Sequence, residues 1–327
     1  MSEIKNIAVL TSGGDAPGMN AAIRAVVRAG IYYDLTVTGV LRGYEGLISG
    51  DFIDMDRKSV ANIIQRGGTI LKTARCEGFR TPEGRKVAYD NLIAKGIDAL
   101  VVIGGDGTFT GANLFSKEFD FPVIGLPGTI DNDLAGTDFT IGYDTAINTV
   151  VNAVDKIRDT AESHDRLFIV EVMGRDSGLI ALRSGIGVGA EAIMIPEANM
   201  GVEGLVKRLE YGRKDKASKI IIVAEGDDAG GAFNIGEVLK NKFPNYDIRV
   251  SVLGHIQRGG KPSCMDRVLA SRFGVSAVEA LLNGHCCVMV GQVNGEISYT
   301  PFDQAIKHLD AEEGTEAWLK LVEILSL

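Results

Sequence analysis

Strand-length apolar runs alternate with helical-period segments along most of this 327-residue chain, and that alternation restricts the fold more than any other feature. Runs at residues 7–11, 36–41, 99–103, 123–127, 167–172, 192–195, 220–224, 249–253 and 287–293 read as strands. Segments 21–29, 59–66, 89–95, 146–161, 202–209, 235–242, 266–282 and 315–325 read as helices by period and residue type. Strands that are apolar almost throughout cannot face water on either side. The pattern therefore implies an α/β fold whose sheet is mainly parallel and covered by helices on both faces. Such sheets bind ligands beyond the carboxyl ends of their strands, so the residues just after each strand carry the functional information.

Composition narrows the function classes. The formal net charge is −9 and no long basic run occurs, which argues against a general nucleic-acid or membrane-surface binder. Any arginine cluster must then be local, as for a small anion. No stretch approaches the ~20 apolar residues of a membrane span, so a cytoplasmic location is expected. The four cysteines (Cys76, Cys264, Cys286, Cys287) form no CxxC pair and no two histidines stand in HExxH spacing, so reduced thiols are expected rather than a disulfide or zinc site.

Three strand ends share one chemistry. Residues 7–11 lead into Ser12-Gly13-Gly14-Asp15-Ala16-Pro17-Gly18 and then a helix, a turn whose backbone amides can face an anion at a helix N-terminus. Residues 99–103 lead into Gly104-Gly105-Asp106-Gly107-Thr108, again opening a helix. A carboxylate inside such a cradle repels phosphate unless a cation lies between them, so Asp106 reads as a Mg2+ ligand. Residues 123–126 lead into Pro127-Gly128-Thr129-Ile130-Asp131-Asn132-Asp133, where two carboxylates one residue apart suit a general base and a metal-associated group. Each taken alone could be a tight turn, a helix cap or an Asx turn; three together favour phosphoryl transfer. Neither a GxxxxGK[ST] nor a GxGxxG motif occurs, and Gly185-Ile186-Gly187-Val188-Gly189-Ala190 reads as a flexible loop.

Seven stretches carry a family resemblance: TSGGDAPGMNAAIR from Thr11, RGGT from Arg66, IGGDGT from Ile103, GLPGTIDND from Gly125, VEVMGR from Val170, PE at Pro196 and LGHIQRGG from Leu253. In these the chain closely resembles the bacterial ATP-dependent 6-phosphofructokinases, over nearly its full length. GGDGT alone also occurs in NAD and lipid kinases, but those account for neither GHIQRGG nor the sugar-site arginines. The resemblance implies two similar three-layer α/β/α domains with the active site in the cleft between them. Residues 1–138 with 252–305 would bind ATP and Mg2+, and 139–251 with 306–327 fructose 6-phosphate. It also implies a homotetramer catalysing the committed step of glycolysis.

By position, the resemblance assigns Gly14, Arg75, Cys76, Gly105, Asp106, Gly107 and Thr108 to ATP, with Asp106 on the metal. Asp131 becomes the general base beside Thr129 and Asp133, while Arg75, Arg175 and Gly14 attend the transferring phosphoryl group. Fructose 6-phosphate falls to Thr129, Ile130, Asp131, Met173, Gly174, Arg175, Glu225, His255, Ile256, Gln257 and Arg258, with Arg166 and Arg249 reaching in from a neighbouring subunit. Guanidinium forks for the phosphate and a carboxylate acceptor for hydroxyls suit that ligand. An effector site for ADP or phosphoenolpyruvate would use Arg24, Arg28, Arg57, Arg158, Gly189, Glu191, Arg213, Lys214 and Lys216.

Cys76 and Leu41 depart from the pattern, standing where some members carry aromatic residues near adenine. Two other family readings compete. Pyrophosphate-dependent members typically carry aspartate at position 107 and lysine at 128; the glycines here leave room for ATP. A non-catalytic regulatory homologue is expected to have lost Asp106 or Asp131, and both are present.

Overall fold

The computed structural model describes residues 4–163, 166–198, 200–211, 219–228, 230–306 and 312–325. The alternating pattern folds into two compact units. One comprises Met1–Thr145 and Arg258–Leu309, the other Ala146–Gln257 and Asp310–Leu327.

The first unit is built on an eight-stranded sheet. Its strands are β1 (Asn6–Thr11), β2 (Thr36–Val40), β3 (Phe52–Met55), β4 (Ala99–Gly104), β5 (Val123–Thr129) and β6 (Ile141–Gly142), joined late in the chain by β11 (Val288–Val293) and β12 (Glu296–Pro301). The order is β12-β11-β5-β4-β1-β2-β3, with β6 beside the end of β5. Pairing is parallel from β2 through β11 and antiparallel only at the two edges. Helices α1 (Met19–Tyr32), α2 (Tyr44–Ser49), α3 (Pro82–Lys95), α4 (Asp106–Phe119), α9 (Cys264–Leu282) and α10 (Phe302–Ala305) cover it. All six residues of β4 and all seven of β5 are buried, as strands covered on both faces must be.

The second unit has a four-stranded, wholly parallel sheet in the order β10-β7-β9-β8. These strands are β7 (Arg166–Val172), β8 (Ala192–Met194), β9 (Lys219–Ala224) and β10 (Asp247–Val252). The helices are α5 (Tyr143–Glu162), which carries the chain in from the first unit, α6 (Leu179–Gly187), α7 (Gly201–Tyr211), α8 (Gly231–Lys242) and α11 (Glu312–Leu325). Its core is aliphatic, with Ile169, Ile221, Val223 and Ile235 at its centre.

Two sequence expectations are overturned. Residues 59–66 form a run of turns rather than a helix, because Asn62 sits at a φ of 54°, a left-handed conformation that interrupts a right-handed helix. The glycine-rich stretch from Gly185 is not a free loop: Gly185 and Gly187 end α6. A Cβ on Gly185 would stand 2.7 Å from Ile193 Cγ1, so that glycine serves close packing of α6 on β8.

The segment beyond residue 138 stays with the first unit as far as Thr145 because α9 holds it. The carboxylate of Asp266, 1% exposed, accepts from Gly142 N (2.8 Å), Thr145 N (2.8 Å) and Thr145 Oγ1 (2.5 Å). Its own amide donates to Ser263 Oγ (3.2 Å), which caps α9. Burial raises the Asp266 carboxyl above the usual carboxylate range, against the pull of these donors. Asp266→Asn turns an amide toward one set of donors and should lower the unfolding free energy by about 2 kcal/mol in urea titration, Asp266→Ala by roughly 3. Unchanged midpoints in both variants would remove this tie from the account of the fold.

Candidate active site

Three adjacent strands of the first unit, β1, β4 and β5, end side by side. Ser12 N donates to Ile103 O (3.0 Å), which binds the turn after β1 to the end of β4. A Cβ on Gly104 would stand 2.6 Å from Ser12 O and overlap Thr108 Oγ1, so this loop closes only on glycine. A Cβ on Gly105 would meet Thr129 Cβ at 3.3 Å, and one on Gly14 would meet Arg258 Nη1 at 2.5 Å. Arg258 in turn donates to Asp15 O (3.3 Å). Gly14, Gly105, Thr108, Thr129 and Arg258, separated by up to 244 positions in sequence, are therefore neighbours.

Asp106 opens α4 with Gly105 as its N-cap, so the free amides of the first turn face out of the loop. Thr108 is 3% exposed and its Oγ1 is buried without a hydrogen-bond partner among the described residues, an orphan beside the glycine loop. Tyr44 fixes this turn from α2 by donating to Thr108 O (2.5 Å). Burial pushes its phenol far up, so it stays a donor, and its ring stacks on Phe79 at 3.9 Å. No group of three or more His, Cys, Asp or Glu suited to a metal exists among the described residues. A lone carboxylate in a glycine loop nonetheless fits Mg2+, which takes one or two protein carboxylates and fills its remaining positions with water and phosphate oxygens.

At the end of β5, Asp131 is 8% exposed. Thr129 Oγ1 donates to Asp131 Oδ2 and accepts from Asp131 N, both at 3.3 Å. Asn132 adopts a φ of 53°, which turns the chain sharply; its Oδ1 accepts from Thr140 N (2.7 Å), and Thr140 Oγ1 donates to Thr129 O (2.7 Å). The side chains of Thr129, Asn132 and Thr140 thus fix the turn that carries Asp131. Ile130 is fully buried.

Arg75 is exposed on a segment anchored at Thr73, whose hydroxyl donates to Gly13 O (2.5 Å). Cys76 next to it is half-buried, and burial raises its thiol above the usual range. The Gly107 position is open, with nothing within 4 Å of an added Cβ, as room for a ligand requires. Gly128 is not open: its Cβ would meet Ile103 Cγ2 at 2.9 Å and Met19 Cε at 3.2 Å. Of the two glycines only Gly107 leaves room for a ligand, since Gly128 serves packing.

In the second unit, Met173, Gly174 and Arg175 follow β7, and Arg175 takes a φ of 56°. Its amide donates to Glu225 Oε1 (2.9 Å), while its side chain is exposed. Gln257 is fully buried and accepts from Met173 N (3.3 Å), whereas His255 and Ile256 are exposed. Arg166 and Arg249 both contact Asp247. Arg158 donates to Val188 O beside Gly189, and Glu191 Oε2 accepts from Ile220 N (2.5 Å). Arg24 and Arg28 lie on α1, where burial and then the Arg28 charge lower the Arg24 guanidinium; Arg57 is exposed. Arg213, Lys214 and Lys216 lie outside the described residues.

Asn20, 1% exposed, went unread in the sequence. Its Nδ2 donates to Arg66 O and Gly67 O (both 3.1 Å) and its Oδ1 accepts from Ile70 N (2.7 Å), so it shapes the whole RGGT turn. The signal was available in principle, since Asn20 lies inside the first motif and RGGT is another.

Comparison with known proteins follows the same lines. The phosphofructokinase family model matches residues 6–281. An ATP-dependent 6-phosphofructokinase 2 of Bacteroides thetaiotaomicron is 59% identical over 94% of this chain and 95% of its own. An ATP-dependent 6-phosphofructokinase of Cytophaga hutchinsonii is 58% identical over 93% of each. Phosphofructokinase from Saccharomyces cerevisiae superposes with a TM-score of 0.87 at 39% identity, covering 98% of this chain; this chain spans 47% of the yeast one. The chain belongs to the phosphofructokinase family.

Gly104 and Gly107 separate structure from binding. Gly104→Ala should lower the melting temperature by roughly 3–8 °C, because backbone must move to admit the methyl group. Gly107→Ala should melt within about 1 °C of the parent while weakening nucleotide binding in an ATP titration. Equal losses of stability in both variants would contradict the open space at Gly107.

Proposed function

We infer that this protein is an ATP-dependent 6-phosphofructokinase: it transfers the γ-phosphoryl group of ATP to the 1-hydroxyl of fructose 6-phosphate, giving fructose 1,6-bisphosphate and ADP. The observation that carries this reading is near-full-length identity of 59% and 58% to enzymes named for ATP dependence. The open position at Gly107 agrees with it.

In this reading the turns after β1 and β4 cradle the nucleotide phosphates with backbone amides and the α4 N-terminus. Thr108 Oγ1 supplies a donor that has no partner among the described residues. Asp106 would hold Mg2+, which supplies charge neutralisation on the phosphate oxygens. Asp131 takes the proton of the acceptor hydroxyl, and the Thr129 contact keeps its carboxylate oriented. Asp133 stands beside this pair. The exposed guanidinium groups of Arg75 and Arg175 stabilise charge on the transferring group, and Arg175, Arg258, Glu225 and His255 hold the sugar phosphate.

Arg166 and Arg249 belong with a second copy of the chain. Arg166 begins β7 and Arg175 follows its other end, about 20 Å away at strand rise. Arg249 is tied to the Arg166 end through Asp247. That separation supports assigning the two sets to different ligands, as expected of subunits sharing sites in a homotetramer. We assign effector binding, of ADP or phosphoenolpyruvate, to Arg24, Arg28 and Arg57 of the first unit and to Arg158, Gly189 and Glu191 of the second. No helix among the described residues is long and apolar enough to cross a membrane.

Initial rates with fructose 6-phosphate and Mg2+ test the donor: ATP should support turnover and pyrophosphate should not. Turnover with pyrophosphate alone would overturn the ATP reading. Asp131→Ser should lower kcat by roughly 10²–10⁴-fold with sugar-phosphate binding largely kept, and near-normal turnover would exclude Asp131 as the base.

A further inference from the structure

At the start of β7 and β10, opposite the carboxyl ends that carry Arg175 and His255, three charged side chains share one small patch. Asp247 is the direct cross-strand partner of Arg166, and Arg249, two residues on, lies on the same face of β10. β10 is the edge strand of its sheet. Arg166 Nε reaches Asp247 Oδ2 at 2.8 Å; Arg249 reaches the same oxygen through Nη2 at 3.1 Å and Oδ1 through Nε at 3.0 Å. One carboxylate thus joins two guanidinium groups. Arg166, chiefly, holds the Asp247 carboxyl below the usual carboxylate range, so it is ionised at neutral pH.

Two arginines this close repel one another, and each long side chain has many rotamers to lose on meeting an anion. A shared carboxylate offsets both costs. It cancels one of the two positive charges and fixes both guanidinium planes before any ligand arrives. Arg166 spends only Nε on it, which leaves the Nη1–Nη2 edge of its fork for a phosphate.

We propose that Asp247 is a positioning residue for sugar-phosphate capture, holding Arg166 and Arg249 together so that one phosphate group meets both. The proposal rests on the reading above, in which these two arginines bind fructose 6-phosphate. Asp247 itself never touches the ligand. A rival role has the opposite sign: a carboxylate that merely occupies the arginines competes with phosphate, and its removal would tighten binding.

The test is steady-state kinetics on the full-length enzyme carrying Asp247→Asn, Asp247→Glu, Arg166→Ala or Arg249→Ala. Asp247→Asn should raise the KM for fructose 6-phosphate roughly tenfold, about the worth of one charge-assisted contact. Its kcat and KM for ATP should stay within about twofold of the parent, and Asp247→Glu, which restores the charge, should recover much of the affinity. A merely structural Asp247 would instead shift kcat, both KM values and the melting temperature together. A KM for fructose 6-phosphate that is unchanged or lower in Asp247→Asn overturns the proposal. If Arg166→Ala and Arg249→Ala leave that KM unaltered as well, the reading of the arginines fails, and the role of Asp247 falls with it.

Discussion

Parallel pairing of β1, β4 and β5 is the constraint on which the first unit depends. A parallel strand cannot hairpin into its neighbour; it must return through a crossover, so all carboxyl ends emerge along one edge. Strands lie about 4.8 Å apart, which gathers three loops within roughly 10 Å without any loop having to be long. The glycines then decide how closely the loops approach, and residues outside them set their shape. Tyr44, Thr73 and Asn20 each contribute one or more hydrogen bonds to a neighbouring turn.

Charge is handled locally in a chain that is acidic overall. Amides at a helix start, together with a few exposed arginines, can create a positive niche that net charge conceals. Residue type alone does not identify those arginines. Arg85 is 4% exposed and fully engaged: it forks onto Glu118 with two 2.6 Å contacts and donates to the carbonyls of Phe79 and Arg80. Such a guanidinium fastens α3 to α4 and has nothing left for a ligand. Arg75 and Arg175 differ from it in being exposed beside turns, a distinction that depends on tertiary packing.

The buried parallel strands were legible because near-continuous apolar runs have few other uses. The loops after β1, β4 and β5 were legible because glycine and aspartate at strand ends are chemically specific. Strands β3 and β12 escaped notice: β3 is only four residues long, and β12 alternates polar with apolar residues at the sheet edge. Residues 59–66 carried a helical period but break at Asn62, whose left-handed backbone no periodicity announces. Gly128 matched a family distinction, yet only coordinates reveal that its missing side chain makes way for Ile103 and Met19. Asn20, Asp247 and Asp266 act through partners distant in the chain, and no local pattern announces such partners.

The discontinuity of the first unit has a consequence for biosynthesis. Its core draws on Met289, Phe302 and Ala305, and α9 packs along α1 from about 240 positions downstream. The central sheet of the second unit, by contrast, lies within one continuous stretch of chain. As the polypeptide leaves the ribosome, that later sheet is complete while the apolar face of α1 still waits for its cover. The N-terminal half of the chain is thus the last to close, and the interval before α9 emerges is when it is most exposed to aggregation and most in need of a chaperone.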